Sequence, residues 1–335
     1  MRKQTAAVIG GGSWGTALAT VLAQNGPVKL WARDSHVVDT INREHRNPKY
    51  QSEFLLSDQI TAYHTLKGCI EGCDLVCLVV PSHAMRATLA ELQPHIEPNM
   101  LFVSASKGIE NGSLKTMHGV LKDCLPESLH KSFGFLSGPS FARETIQKMA
   151  TAVTVASECL ETAERIQERF STPYFRVYAT EDVIGVELGG ATKNVIAIAS
   201  GLVDGLKLGH NTRAALITRG LAEVTRLATS LGGHPLTLSG LAGMGDLVLT
   251  CSGDLSRNRH VGVELAKGKN IDEIVKDMKQ VAEGIRTTKS VYHLGLKSDV
   301  ELPISCEIYR ILYEGKNPRD ALRDLMQRTL RHERE

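Results

Sequence analysis

Six residues near the start of the chain, Gly10-Gly11-Gly12-Ser13-Trp14-Gly15, restrict its fold more than any other feature. The apolar run Ala6–Ile9 leads into this Gly10-x-Gly12-x-x-Gly15 pattern, and a helical pattern, Ser13–Gln24, leads out of it. A strand, a tight glycine turn and a helix in that order open a dinucleotide-binding unit. Gly10 permits the bend, Gly12 lets the backbone approach a pyrophosphate, and Gly15 lets the helix pack close to the strand. The helix start, with Ser13 and Trp14, then offers N–H groups and a positive dipole end to the anion. A glycine-rich turn alone would not require the apolar run Val28–Trp31 that follows at the motif's spacing.

The same alternation continues. Apolar runs at Leu75–Val80, Leu101–Val103, Gly134–Leu136, Ala152–Val155 and Phe175–Tyr178 are separated by helical patterns at Ser35–Arg46, His83–Leu92, Lys115–Asp123 and Glu158–Phe170. Continuous apolar strands between helices predict a parallel sheet covered on both faces. Beyond Thr180 strand-like runs become scarce. Helical patterns take over at Val183–Val203, Thr212–Ser230, Asn258–Lys267, Asn270–Lys279 and Pro318–His332. The expected class is α/β: a Rossmann-type doubly wound sheet over residues 1–180, then an all-helical domain over residues 181–335.

Two domains also suit a chain of 335 residues, and 42% hydrophobic with 23% charged residues describes a folded protein. A net charge of +2 gives no global attraction to nucleic acid or a membrane surface. The longest apolar runs, Leu75–Val80 and Val195–Ala199, are too short to span a bilayer. Met1-Arg2-Lys3 followed by Ala6–Ile9 resembles the start of a secretory signal, but the glycine turn interrupts it. Seven cysteines in a chain this long point to free, mostly buried thiols and a cytoplasmic location. Cys69, Cys73 and Cys77 are evenly spaced, but a turn at Glu71-Gly72 and a buried strand would set the thiols on different faces, so no metal site is expected.

At the end of the second strand, Arg33 suits the 2′-phosphate of NADP, whereas Asp34 suits the ribose of NAD or caps the next helix. The balance leans to NADP, with dual use of NADP or NAD open. In the second half Lys193 stands inside an otherwise small and apolar helix, Gly189–Ala197. A lysine there either snorkels out or is buried with a lowered pKa, and the second state suits a general base. Ser239–Asp246 reads as a flexible glycine loop delivering a carboxylate, and Ser256-Arg257-Asn258 gathers donors at a helix start, where an anion would sit. Lys107 follows a strand at its carboxyl end, where doubly wound sheets bind ligands. Taken singly, Asp246 could equally be a turn residue and Arg257 a solvated surface charge.

Ser106-Lys107-Gly108, Ser137-Gly138-Pro139-Ser140-Phe141-Ala142, Gly190-Ala191-Thr192-Lys193-Asn194 and Ser256-Arg257-Asn258 follow the glycine turn in order. Together they make the chain resemble the bacterial NAD(P)-dependent glycerol-3-phosphate dehydrogenases, from about Ala6 to about Arg323. The resemblance implies interconversion of sn-glycerol 3-phosphate and dihydroxyacetone phosphate, supplying glycerol 3-phosphate for phospholipids. It implies Lys193 as the catalytic base, with Lys107, Gly138, Ser140, Asp246, Ser256, Arg257 and Asn258 around the phosphorylated substrate. It places Ser13, Trp14, Arg33, Lys107, Ala142, Arg257, Val281 and Glu283 on the cofactor, Asn194 and Thr250 near the site, and suggests a homodimer. Hydroxyacid or 6-phosphogluconate-type dehydrogenases share this architecture, and an NAD(P)-binding redox sensor without turnover is the reading from another class.

Overall fold

The computed structural model describes residues 4–278, 282–330 and 332–333. The first half is an eight-stranded sheet: β1 (Ala6–Ile9), β2 (Val28–Trp31), β3 (Ile60–Tyr63), β4 (Leu75–Leu78), β5 (Leu101–Ser104), β6 (Phe133–Ser137), β7 (Thr151–Ala156) and β8 (Phe175–Thr180). Their order is β3-β2-β1-β4-β5-β6-β7-β8, reversing direction at β1, the switch point of a doubly wound fold. Both faces are covered, so alternate residues of one strand enter different cores. Val8 and Cys77 pack beneath α1 (Ser13–Leu22), α2 (Ser35–Glu44) and α7 (Leu160–Phe170). Ile9, Val76 and Phe102 pack beneath α3 (Leu66–Ile70), α4 (Met85–Leu92) and α5 (Met117–Cys124). On that second face Phe102 meets Phe133 edge-on at 6.1 Å between ring centroids, a geometry that contributes about 1 kcal/mol beyond burial.

Two features depart from the sequence expectation. β3 adds a strand: Ile60 and Ala62 point inward while Thr61 is exposed, so its apolar signal is only two residues long. The sheet is also not wholly parallel, because β6 and β7 pair antiparallel with Leu136 opposite Val155. Their connection carries only the five-residue helix α6 (Ala142–Ile146), which packs against α1 instead of supplying a long crossover.

The second half is helical: α8 (Val183–Gly205), α9 (Gly209–Ser230), α10 (Pro235–Ser239), α11 (Asp246–Ser252), α12 (Arg257–Ala266), α13 (Ile271–Asp277), α14 (Glu283–Lys297), α15 (Pro303–Tyr313) and α16 (Pro318–Met326). α8 forms the axis. Asp182 caps it, accepting from Gly185 N at 2.8 Å, and nearly all of its length is buried. A Cβ at Gly201 would stand 1.9 Å from the Arg259 carbonyl oxygen, so this glycine is what lets α12 lie directly on α8. Among the described helices α8 is the one long and apolar enough to cross a membrane, but 89% of its apolar window is buried in the protein, as in a core helix. Its Gly190 lies against Ser137 at the end of β6, which joins the helical half to the carboxyl ends of the strands.

Candidate active site

The glycine turn has the geometry its spacing requires. Gly10 adopts φ +130°, and a Cβ there would meet the Val79 carbonyl oxygen at 2.7 Å. A Cβ on Gly15 would lie 1.8 Å from the Gly10 carbonyl oxygen. Gly12 is the opposite case: a Cβ there meets nothing within 4 Å, so its face of the turn is open. Gly12 precedes Ser13 and Trp14 in the first turn of α1, which no side chain caps. An unobstructed helix start beside a backbone approach is what a pyrophosphate needs, and the residues present fit one. Asn47, which the sequence reading missed, braces the turn. Its buried amide donates to the Gly11 carbonyl at 3.0 Å and to Thr16 Oγ1 at 2.9 Å. Nothing marks a lone asparagine 36 residues downstream as its partner. At the ribose end Asp34 caps α2 through His36 N at 2.9 Å and pairs with Lys49, whereas Arg33 is exposed.

Lys193 lies at mid-length on α8, 7% exposed, with Nζ hydrogen-bonded to Asp246 and, at 2.8 Å, to Thr250 Oγ1. The other oxygen of Asp246 accepts from Lys107 Nζ at 2.5 Å. One buried carboxylate therefore joins two lysines. Burial pushes the Lys193 pKa down; Asp246 opposes this and Lys107 adds to it, leaving about 8. For Asp246 burial acts upward, but the two ammonium groups outweigh it and hold the carboxyl below its usual range. Asp246 reaches this position from a rigid element. The expected flexible loop is instead a π-helical turn, Leu241–Gly245, running into α11, because successive backbone bonds fold the glycine-rich segment against α8. A Cβ on Gly243 would sit 2.0 Å from the Leu238 carbonyl oxygen, so these glycines serve close packing.

Gly138, at φ +147°, turns its carbonyl to Lys107 Nζ at 3.3 Å and to Ser140 Oγ at 3.0 Å. Ser256 caps α12 by accepting from Arg259 N at 3.2 Å, and Arg257 follows in the first helical turn. Arg257 reaches solvent, yet enough protein surrounds it that desolvation lowers its pKa, against the pull of Glu283. That combination describes the wall of a cleft. Asn258 ties three helices together, donating to Asn194 Oδ1 at 2.8 Å and accepting from Gly284 N at 2.9 Å. Glu283, at the start of α14, accepts from Ser82 N at 3.2 Å. Burial raises its pKa to about 7, although the Ser82 N–H, Arg257, Lys107 and Lys193 all favour its charged form. Ala142 begins α6 beside α1, and Val281 lies outside the described residues.

Glu187 also escaped the sequence reading, since a single carboxylate in an apolar helix gives no sign of its neighbours. With Lys107, Ser104 and Ser137 it lines a cavity of about 10 Å³, and burial raises its pKa to about 7. An apolar cavity of about 910 Å³ lies between α8, α9, α15 and α16 and includes none of the residues above. Cys69 lies on α3 and Cys77 on β4; both are buried, and burial pushes their thiols upward. Cys73 donates to the Cys69 carbonyl at 3.3 Å. No group of three or more His, Cys, Asp or Glu side chains placed to hold a metal occurs among the described residues.

A doubly wound sheet with an open glycine turn, followed by a helical domain that carries a buried lysine, defines the class of two-domain dinucleotide-fold proteins. Residues 5–163 match the N-terminal part, and residues 182–323 the C-terminal part, of the family described as NAD-dependent glycerol-3-phosphate dehydrogenase. The chain belongs to that family. It is 54% identical over 322 residues to a glycerol-3-phosphate dehydrogenase [NAD(P)+] of Myxococcus xanthus, covering 96% of each chain. A protein of the same name from Syntrophobacter fumaroxidans is 49% identical over 98% of this chain and 97% of its own. The crystal structure of glycerol-3-phosphate dehydrogenase from Coxiella burnetii superposes with a TM-score of 0.91 at 40% identity, covering 97% of this chain and 99% of that one.

Proposed function

We propose that this protein is an NAD(P)-dependent oxidoreductase that interconverts sn-glycerol 3-phosphate and dihydroxyacetone phosphate, supplying the former for phospholipid synthesis. The observation that carries this reading is the buried Lys193–Asp246–Lys107 cluster. The chemistry a nicotinamide bound here would supply is hydride transfer to or from C2 of the substrate. Lys193 moves the accompanying proton. In reduction its ammonium donates to the oxygen forming at C2; in oxidation the neutral amine takes the hydroxyl proton. A pKa near 8 leaves both forms accessible near neutrality, as reversible acid–base catalysis needs. Asp246 holds the Lys193 ammonium in place, and Lys107 fixes the opposite oxygen of that carboxylate. Arg257 and the start of α12 hold the substrate phosphate, with Gly138, Ser140, Ser256 and Asn258 completing its surroundings. The glycine turn, Ser13, Trp14, Arg33, Ala142, Val281 and Glu283 would hold the cofactor.

The same reading divides the chain near residue 180 into a cofactor-binding and a catalytic domain, between the end of β8 and the start of α8. It includes a cytoplasmic homodimer. The seven free thiols suit a reducing compartment, and the apolar cavity bounded by α9 and α16 offers a face for a second copy to cover. A non-catalytic sensor would have no use for a buried lysine of lowered pKa. The test is a spectrophotometric assay of dihydroxyacetone phosphate reduction with NADH and NADPH side by side, against a panel including 6-phosphogluconate and simple hydroxyacids. Dihydroxyacetone phosphate is expected to be the substrate preferred by orders of magnitude; preference for another member of the panel would overturn the assignment.

A further inference from the structure

Two arginines and a histidine come together past the carboxyl ends of β2 and β4, on the side of the glycine turn. Arg33 follows β2 directly, and the preceding Ala32 packs on the glycine turn: a Cβ on Gly11 would stand 2.8 Å from the Ala32 Cβ. His83 lies in the segment after β4, and Val79, the residue that follows that strand, lies against Gly10. Arg286 comes from the other half of the molecule. It sits one turn beyond Glu283 on α14, and Glu283 is anchored to Ser82, next to His83. Tyr313 fixes the residue before it, donating to the Ile285 carbonyl at 2.7 Å. Burial, then Arg286, then Arg33 lower the pKa of His83, so both guanidinium groups lie within electrostatic reach of one imidazole.

All three side chains are exposed, and none makes a hydrogen bond or ion pair with a described residue. This contrasts with Arg43, Arg86, Arg169, Arg259 and Arg310, each paired with a carboxylate. Two guanidinium groups beside one imidazole, with no carboxylate paired to either, make a locally positive surface that an anion would satisfy. The acid that could have served a ribose hydroxyl, Asp34, is already committed to the start of α2 and to Lys49.

We propose that Arg286, reaching from the helical half, completes with Arg33 and His83 a site for the 2′-phosphate of NADP, and so sets a preference for NADP over NAD. This rests on the dinucleotide-dependent reading above and deepens it. A planar guanidinium suits a phosphate dianion through paired hydrogen bonds, whereas the neutral 2′-hydroxyl of NAD gains little from it. Because Arg286 and Arg33 lie on different halves, the 2′-phosphate would also draw α14 onto the sheet.

The test uses the full-length protein and its Arg286→Ala and Arg286→Glu variants. Calorimetry measures binding of 2′,5′-ADP and 5′-AMP, and steady-state assays give kcat/KM with NADPH and NADH. Arg286→Ala is expected to weaken 2′,5′-ADP binding and lower kcat/KM for NADPH by about tenfold each, as loss of one charge-assisted contact implies. Values for 5′-AMP and NADH should stay within about twofold, and Arg286→Glu should widen the gap. Equal losses with both nucleotides, or no loss with the 2′-phosphorylated pair, would overturn the proposal. Failure of the unmodified protein to bind either nucleotide would instead remove the dinucleotide reading itself.

Discussion

The turn at Gly10–Gly15, which follows β1, and the cluster joining α8, α11 and Lys107, which follows β5, both lie past the carboxyl ends of parallel strands but are built from different materials. At the turn the functional surface is backbone. Gly10 and Gly15 matter for what their missing side chains avoid, and Gly12 for the space it leaves open. At the cluster the surface is charge held out of water, with Asp246 1% exposed and Lys193 7% exposed. A backbone site needs particular residues at fixed intervals along one short segment. A charge site needs residues from distant segments to arrive together, and its chemistry depends on how each shifts the others. The two regions should therefore fail differently when altered.

The largest effect is expected at the cluster. Lys193→Ala removes the group proposed to move the proton, and turnover should fall on the order of 10²–10⁴-fold. Cofactor affinity measured by fluorescence should barely change, since the turn is intact. Normal turnover in this variant would end the proposed mechanism. At the turn, Gly15→Ala should act on folding and binding at once. Its methyl group would sit 1.8 Å from a backbone oxygen, so relief requires the turn itself to shift, at a cost of about 1–3 kcal/mol visible in the melting temperature. Gly12→Ala is the control. With nothing within 4 Å of the new methyl, stability should stay within about 0.5 kcal/mol, while cofactor binding weakens as the methyl enters its space. Equal melting temperatures for the two variants would erase the distinction between a packing glycine and a ligand-facing one.

The same distinction explains what the sequence could tell. The turn was legible down to the close packing at Gly10 and Gly15 and the open face at Gly12, because its requirements are local. Strands buried on both faces showed as continuous apolar runs, and β3 did not, since on the sheet edge it buries only Ile60 and Ala62. The helices α14 and α15 were missed, although part of one face of each is buried: Thr287, Thr288 and Ser290 fill the packed face of α14 with small polar residues, which weakens the apolar signal. Lys193 stood out because a cation interrupts an apolar helix. Its neighbours could be named singly, but the sharing of one carboxylate between Lys193 and Lys107, 86 residues apart, appears only in three dimensions. The glycines of Leu241–Gly245 misled for a physical reason. Glycine permits both a mobile loop and a close-packed π-turn, and only the contact partner, Leu238 against Gly243, decides between them.

That shared carboxylate gives the finest test of the contrast, because altering either partner should move the pH dependence with a sign fixed beforehand. In the proposed mechanism oxidation of glycerol 3-phosphate needs Lys193 neutral, so kcat should rise with pH and level off above about 8, with tenfold change per unit on the acid side. Lys107 lowers the Lys193 pKa by repulsion and also draws on Asp246, which raises it. Lys107→Met removes the repulsion and leaves Asp246 to Lys193 alone. Both changes favour the ammonium, so the midpoint should move above 8. Asp246→Asn does the reverse, leaving two lysines without a counter-charge, and the midpoint should fall below 8. Because the readout is a midpoint, loss of substrate contacts in either variant lowers the plateau without imitating the shift. A midpoint moving the same way in both variants would mean that Lys193 is not the titrating group, and that the cluster orders the site without transferring the proton.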